Sequence, residues 1–250
     1  SLTNPPTDGK KPHCTNIQYS IVNRILYTMS LLNDVTETQK EAITHFTGPL
    51  LVIAGAGSGK TRVITRRIGY LMEQGINPYH ILALTFTNKA AKEMKERVEQ
   101  FCEHRGLWIS TFHSMCTRIL RCDIEKIGYT KTFTIYDKQD QVNSIKEVMK
   151  ELKIDTTTWQ PRKIGNTISN AKNNLLTAKQ YAENSPGYYE KQVSQVYSRY
   201  ETVLKNNNAL DFDDLLMKVV ELFRTHTDVL EKYQEKFKYV LVDEFQDTNF

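Results

Sequence analysis

Eight residues, Ala54-Gly55-Ala56-Gly57-Ser58-Gly59-Lys60-Thr61, constrain the fold of this chain more than any other stretch. They follow a short apolar run, Leu50 to Ala54, that reads as a strand. They open a segment, Thr61 to Met72, in which Val63, Ile64, Ile68, Leu71 and Met72 share one helical face. A small-residue loop between strand and helix, ending in Gly-Lys-Thr, has the composition of a phosphate cradle. Glycines let the backbone wrap closely, so that several N–H groups point at phosphate oxygens, and the helix N-terminus adds positive potential. Lys60 then places a point charge on the β- and γ-phosphates, and the Thr61 hydroxyl is a ligand for Mg²⁺. Ala54 stands where the common pattern has its first glycine, and a small residue fits there. The expected cofactors are ATP and Mg²⁺.

A cradle of this kind needs acids elsewhere. Tyr239-Val240-Leu241-Val242-Asp243-Glu244 is an apolar strand that ends in two carboxylates. Asp243 can serve the metal, and Glu244 can take the proton of an attacking water. Two acids closing a strand are often only solvated surface; the cradle earlier in the chain favours the functional reading.

Between these two motifs the periodicity changes. Ile81 to Phe86 and Trp108 to Thr111 read as strands, with Asn88 to Cys102 as a helix between them. Strand–helix alternation implies a parallel sheet covered by helices. From about residue 115 to 235 the amphipathic stretches 139–152, 190–205 and 212–223 dominate, and strand character is nearly absent after Ile135. Pro161, Pro186, Gly187 and Asn206-Asn207-Asn208 mark the expected loops there. The expected fold is α/β, a P-loop parallel sheet interrupted by a mostly helical insertion. Residues 1–29 read as an extension or lead-in, with a helical pattern over 17–32 and Met29 as an alternative start.

Composition narrows the classes without choosing among them. The net charge of +4 over 250 residues suits a polyanionic partner and many other proteins equally. Cys14, Cys102, Cys116 and Cys122 form no CxxC pair, and the nearby His104 completes no zinc pattern, so reduced thiols in a cytoplasmic protein are expected. No apolar run reaches the roughly 18 residues of a membrane span, and the N-terminus lacks the apolar core of a signal peptide.

The motifs together resemble one group. Asp243-Glu244-Phe245-Gln246-Asp247-Thr248-Asn249 is similar to motif II of the UvrD/Rep/PcrA helicases of superfamily 1, and residues 54–63 resemble their motif I. Residues 85–91, Thr-Phe-Thr-Asn-Lys-Ala-Ala, resemble motif Ia, and Thr111-Phe112-His113-Ser114 resembles motif Ib. Leu32-Asn33 with Gln39 is similar to the Q motif. Residues 168–173 and 210–215 also resemble stretches of the group, in the same order along the chain.

This resemblance implies a RecA-like subdomain 1A over 30–114 and 236–250, its second part cut short, and a helical subdomain 1B over 115–235. It implies that Gln39 hydrogen-bonds the adenine edge, that Arg62 helps hold the nucleotide, and that Gln246 senses the γ-phosphate. It places Phe86, Asn88, Phe112 and His113 against single-stranded DNA, where aromatic faces stack on any base at roughly 1–3 kcal/mol each. The implied activity is ATP-dependent 3′-to-5′ movement on single-stranded DNA and at single/double-strand junctions, in repair or replication. The alternatives are the motor of a recombination helicase–nuclease and a non-catalytic DNA- or partner-binding module. The group completes its site with a second half, absent here, whose arginines are worth roughly 10³–10⁵ in rate in related phosphoryl transfer. The chain alone is therefore expected to hydrolyse ATP very slowly and not to unwind DNA. Lys163, Lys172 and Lys179 lie among asparagines with few acids nearby in sequence, so they read either as duplex-DNA contacts or as solvated surface. The charges after Asn88, such as Glu93 and Arg97, read as a solvated helix face.

Overall fold

The computed structural model describes residues 31–101, 106–184 and 187–248. The expected extension over 1–29, the bulk of the 17–32 helical pattern, Cys14, Cys102, His104, Pro186 and Asn249 lie outside the described residues. The chain divides into two compact units, residues 1–81 with 93–107, and residues 82–92 with 108–250.

In the first unit, α1 (Glu37–Thr44) begins at a reciprocal capping box. Gln39 N–H donates to Thr36 Oγ1 at 3.2 Å, and Thr36 N–H donates to Gln39 Oε1 at 3.1 Å. Helix α2 (Lys60–Glu73) starts at Gly59 and ends at Gly75, which has φ +90°. Val63, Ala42 and Ile43 form a small core between α2 and α1, with Leu32, Val35 and Tyr70 against it. Arg67 of α2 donates to Ala42 O at 2.9 Å, tying the helix to the last turn of α1.

One expectation fails here. Residues 50–54 do not form a strand, and Leu51 and Ile53 are 68% and 90% exposed. Strand geometry needs a neighbour to receive its N–H and C=O groups. Among the described residues none is paired with this run, so apolar composition alone leaves it as coil.

The second unit contains a three-stranded sheet of order β2-β1-β5, made by β1 (Ile81–Thr85), β2 (Trp108–Thr111) and β5 (Tyr239–Val242). Strands β1 and β2 are parallel, with Leu82 opposite Trp108 and Thr85 opposite Thr111. All five residues of β1 are buried, as befits a central strand. Between β1 and β2 runs α3 (Asn88–Glu99), whose Met94 and Val98 are buried while Glu93 and Arg97 pair at 3.9 Å near the surface.

Helices α4 (Phe112–Asp123), α5 (Lys138–Glu151), α6 (Pro161–Asn173), α7 (Ala178–Glu183), α8 (Tyr188–Asn206), α9 (Phe212–Thr225) and α10 (Thr227–Lys236) follow. Pro161 starts α6 rather than marking a loop, because the first helical position needs no N–H donor and suits the fixed proline φ. A second parallel pair, β3 (Thr134–Tyr136) with β4 (Ala209–Asp211), sits among the helices, Tyr136 opposite Asp211. It was invisible as pattern: three residues are too few to show an alternation. Tyr197, Tyr200, Val193, Val196 and Ile168 lie in one core of this region, and Leu120, Phe133, Leu210 and Leu222 in another.

Candidate functional site

The cradle is built from local rules. Gly57 and Gly59 have φ of +76° and +85°, the left-handed region in which a side chain is strained. A Cβ on Gly59 would also come within 3.3 Å of Gln39 Nε2. That nitrogen donates to Ser58 O at 2.9 Å, so the first helix braces the loop directly. Ser58 Oγ donates to Gly55 O at 2.7 Å, closing the turn. Lys60 Nζ donates to Ala54 O and Gly55 O, each at 3.3 Å, and so its ammonium stays over the loop. Helix α2 has no side-chain cap and no acid in its first turn. An uncapped, acid-free helix start behind a glycine turn presents N–H donors and positive potential, which fits a polyphosphate. Arg62 is exposed on the same turn, and Thr61 is half-buried beside Lys60.

In the second unit, Asp243 follows β5 and is 5% exposed. Its N–H donates to Leu84 O at 2.9 Å, which fixes the end of β5 against β1. Glu244 takes a left-handed backbone, φ +54° and ψ +49°, with its N–H on Asp243 Oδ1 at 3.1 Å. A non-glycine residue held there is strained by about 1–3 kcal/mol, a cost that clusters at functional sites. Gln246 Nε2 donates to Glu244 Oε2. The expected pair of acids and the glutamine are thus adjoining. Gln39 and residues 54–62 belong to the first unit, and Asp243, Glu244 and Gln246 to the second.

The aromatics expected on the DNA track converge within the second unit. Phe86, beyond β1, is 48% exposed and meets the Phe112 ring edge-on at 6.2 Å. Thr111 caps α4 by accepting from Ser114 N–H at 3.2 Å, which sets the direction of Phe112 and His113. Thr87 accepts from Ala90 N–H at 3.1 Å, and Asn88 stands exposed at the start of α3. The His113 ring stacks on Phe212 with centroids 4.0 Å apart and planes at 18°. Burial lowers the His113 pKa below the ordinary histidine value, opposed by Asp213.

The sequence alone does not single out Phe212, the ring on which His113 stacks. It is 56% exposed at the first position of α9, between acids. An apolar ring at an exposed helix start among three aspartates was the available cue.

The sequence also misplaced Lys172. It is 1% exposed and bonded to Asp211, Asp214 and Glu201, so it is neither a DNA contact nor solvated surface. Its acids lie about 30 to 40 residues further along the chain, out of reach of any local count. Cys116 is buried and Cys122 exposed, both as free thiols. Burial pushes the Cys116 thiol up to about 12. Among the described residues no cluster of His, Cys, Asp and Glu forms a metal centre of its own, and no helix is long and apolar enough to cross a membrane.

Residues 35–250 match the profile of the UvrD/REP helicase N-terminal domain. The chain belongs to this family. Among relatives of this UvrD/REP-type chain, the ATP-dependent DNA helicase PcrA of Bacillus subtilis (strain 168) is 52% identical over 222 residues, covering 88% of the chain and 30% of the relative. PcrA of Staphylococcus aureus (strain Mu50) is 50% identical over 223 residues, with the same coverage. PcrA of Staphylococcus epidermidis is 49% identical, covering 88% of the chain and 31% of the relative. This UvrD/REP-type chain therefore spans about 30% of the length of these relatives.

Proposed function

We propose that this chain is the nucleotide-binding part of an ATP-dependent DNA helicase that moves 3′ to 5′ on single-stranded DNA and acts at single/double-strand junctions in repair or replication. The observation that carries the reading is the uncapped, acid-free start of α2 with Lys60 held over the glycine turn, in a chain about half identical, over the residues aligned, to proteins named as ATP-dependent DNA helicases.

In this reading the phosphates of ATP take the N–H groups of residues 55–61 and the Lys60 ammonium. Thr61 and Asp243 are the side chains for Mg²⁺, which supplies charge neutralisation at the β- and γ-phosphates when bound. Glu244 accepts the proton of the attacking water, and Gln246, bonded to Glu244, couples that carboxylate to the DNA-contacting segments. Gln39 and Arg62 hold the base and phosphate sides of the nucleotide. Phe86, Phe112, His113 and Phe212 stack on bases, with Asn88 on the backbone. Residues 30–114 and 236–250 form subdomain 1A, residues 115–235 form the helical subdomain 1B, and a further part of the same motor is the protein partner.

Two titrations test this. The chain should bind a fluorescent ATP analogue in the presence of Mg²⁺, and should bind oligodeoxythymidylate in its absence. Lys60→Ala should lose the first and keep the second, and Phe86→Ala the reverse. Loss of both or of neither in each variant would refute the assignment of roles. Direction is read by strand displacement with both tail polarities, using the protein as its gene encodes it.

A further inference from the structure

The Lys172 side chain is fully buried and meets three carboxylates. Its ammonium donates to Asp211 Oδ2 at 2.9 Å and Asp214 Oδ1 at 2.7 Å, and lies 2.7 Å from Glu201 Oε1. Two protons of the ammonium thus go to the aspartates, and Glu201 adds charge at close range without a hydrogen bond. Asp211 Oδ2 also accepts from Tyr200 OH at 3.1 Å and Gln141 Nε2 at 3.2 Å. The network reaches α6, α8, α5 and the junction of β4 with α9. Burial opposes the lysine charge, yet Asp214, Asp211 and Glu201 together hold its pKa well above the ordinary value.

Such a cluster is a poor way to gain stability. Desolvation offsets most of what buried ion pairs return, and apolar side chains would fill the same space as well or better. What ion pairs add is direction. Hydrogen bonds weaken steeply off axis, whereas apolar contact has no preferred angle.

The direction fixed here is that of one turn. Asp211 and Asp214 cap α9 reciprocally, Asp214 N–H to Asp211 Oδ1 at 2.9 Å and Asp211 N–H to Asp214 Oδ2 at 3.0 Å. Phe212 lies between them and points outward onto His113. A rotation of this turn would break bonds to Lys172 before it moved the ring far.

We infer that Lys172 is a positioning residue: by gripping the two aspartates that flank Phe212, it holds that ring against His113 in the orientation that receives single-stranded DNA. The DNA clause rests on the function proposed above; the hold on the ring does not.

The test uses the 250-residue chain and two readouts. The first needs no ligand: with ¹³C-labelled histidine, the His113 ring protons (assigned with His113→Asn) should be displaced upfield by the Phe212 ring. Lys172→Met should return them toward the free-histidine position while helical circular dichroism and cooperative melting persist. The second is affinity for oligodeoxythymidylate, expected to fall about tenfold, the effect of losing one stacked base. If Lys172→Met does not fold, Lys172→Met/Asp214→Asn removes the ammonium together with the acid of one of its partners and is read the same way. A folded variant that keeps the wild-type ring shift overturns the inference, as does failure of both variants to fold, since the network would then serve the whole unit. A lost ring shift with unchanged DNA affinity overturns its link to DNA. Wild-type chain that binds no DNA overturns the proposed function instead, and leaves the ring-shift measurement to decide the hold on Phe212.

Discussion

Gln39 holds Ser58: the glutamine Nε2 donates to the serine carbonyl at 2.9 Å, while the same amide's Oε1 accepts from Thr36 N–H at 3.1 Å. A single side chain therefore ends a helix cap and braces the phosphate cradle. Gln39→Ala should cost about 1 kcal/mol of stability, the usual worth of a cap, and loosen ATP-analogue binding several-fold. Gln39→Glu should loosen it more, because a carboxylate would face the Ser58 carbonyl and the incoming phosphates. Urea unfolding and nucleotide titration on the two variants read these effects, and equal nucleotide affinity in both would remove the brace from the account.

Gly59 should tolerate no side chain. Its φ of +85° disfavours any L-residue by about 1–2 kcal/mol, and the new Cβ would crowd Gln39 Nε2 at 3.3 Å. Gly59→Ala is expected to lower the melting temperature and to weaken nucleotide binding at least tenfold. An unaltered melting curve would mean that the loop has another accessible conformation.

Phe212→Ala should weaken oligodeoxythymidylate binding by about 1–3 kcal/mol, as for other base-stacking rings, and leave nucleotide binding in place. Because burial keeps His113 uncharged at neutral pH, the affinity should be flat between pH 7 and 9. A decline over that interval would show that a charged imidazole, rather than a stacked ring, carries the contact.

Asp214 should tilt stability against pH. Three carboxylates share one ammonium, and burial raises the Asp214 pKa to about 8. In the unfolded chain the same group ionises near 3.9. The folded state thus binds the extra proton between about pH 4 and 8, and the contribution is complete below 4 and lost as pH rises through 8. Asp214→Asn should flatten the fall in unfolding free energy over that window. An equally steep fall in the variant would place the proton on another group.

Much of this was legible from sequence for a definite reason. The cradle, β1, β2 and β5 are written in contiguous residues, where glycine spacing and apolar runs have local causes. Helices α5, α8 and α9 follow from periodicity in the same way. What escaped depends on partners distant in the chain. Lys172 looked free of acids because Glu201, Asp211 and Asp214 are brought to it only by folding. Strand β4 exists because Thr134 to Tyr136 runs beside it, whereas residues 50–54 have no such neighbour among the described residues. Phe212 was hidden by the acids around it, which suggest a solvated turn rather than a platform.

The bare run Leu50-Leu51-Val52-Ile53 has a practical consequence for anyone handling this chain. Four apolar side chains at 42–90% exposure, two of them β-branched and with no charge among them, form a sticky template. Backbone that no strand has claimed can be claimed by another molecule. The chain should self-associate as concentration rises, visible as a growing sedimentation coefficient, and Leu51→Lys should restore a concentration-independent value by placing a gatekeeper charge in the run.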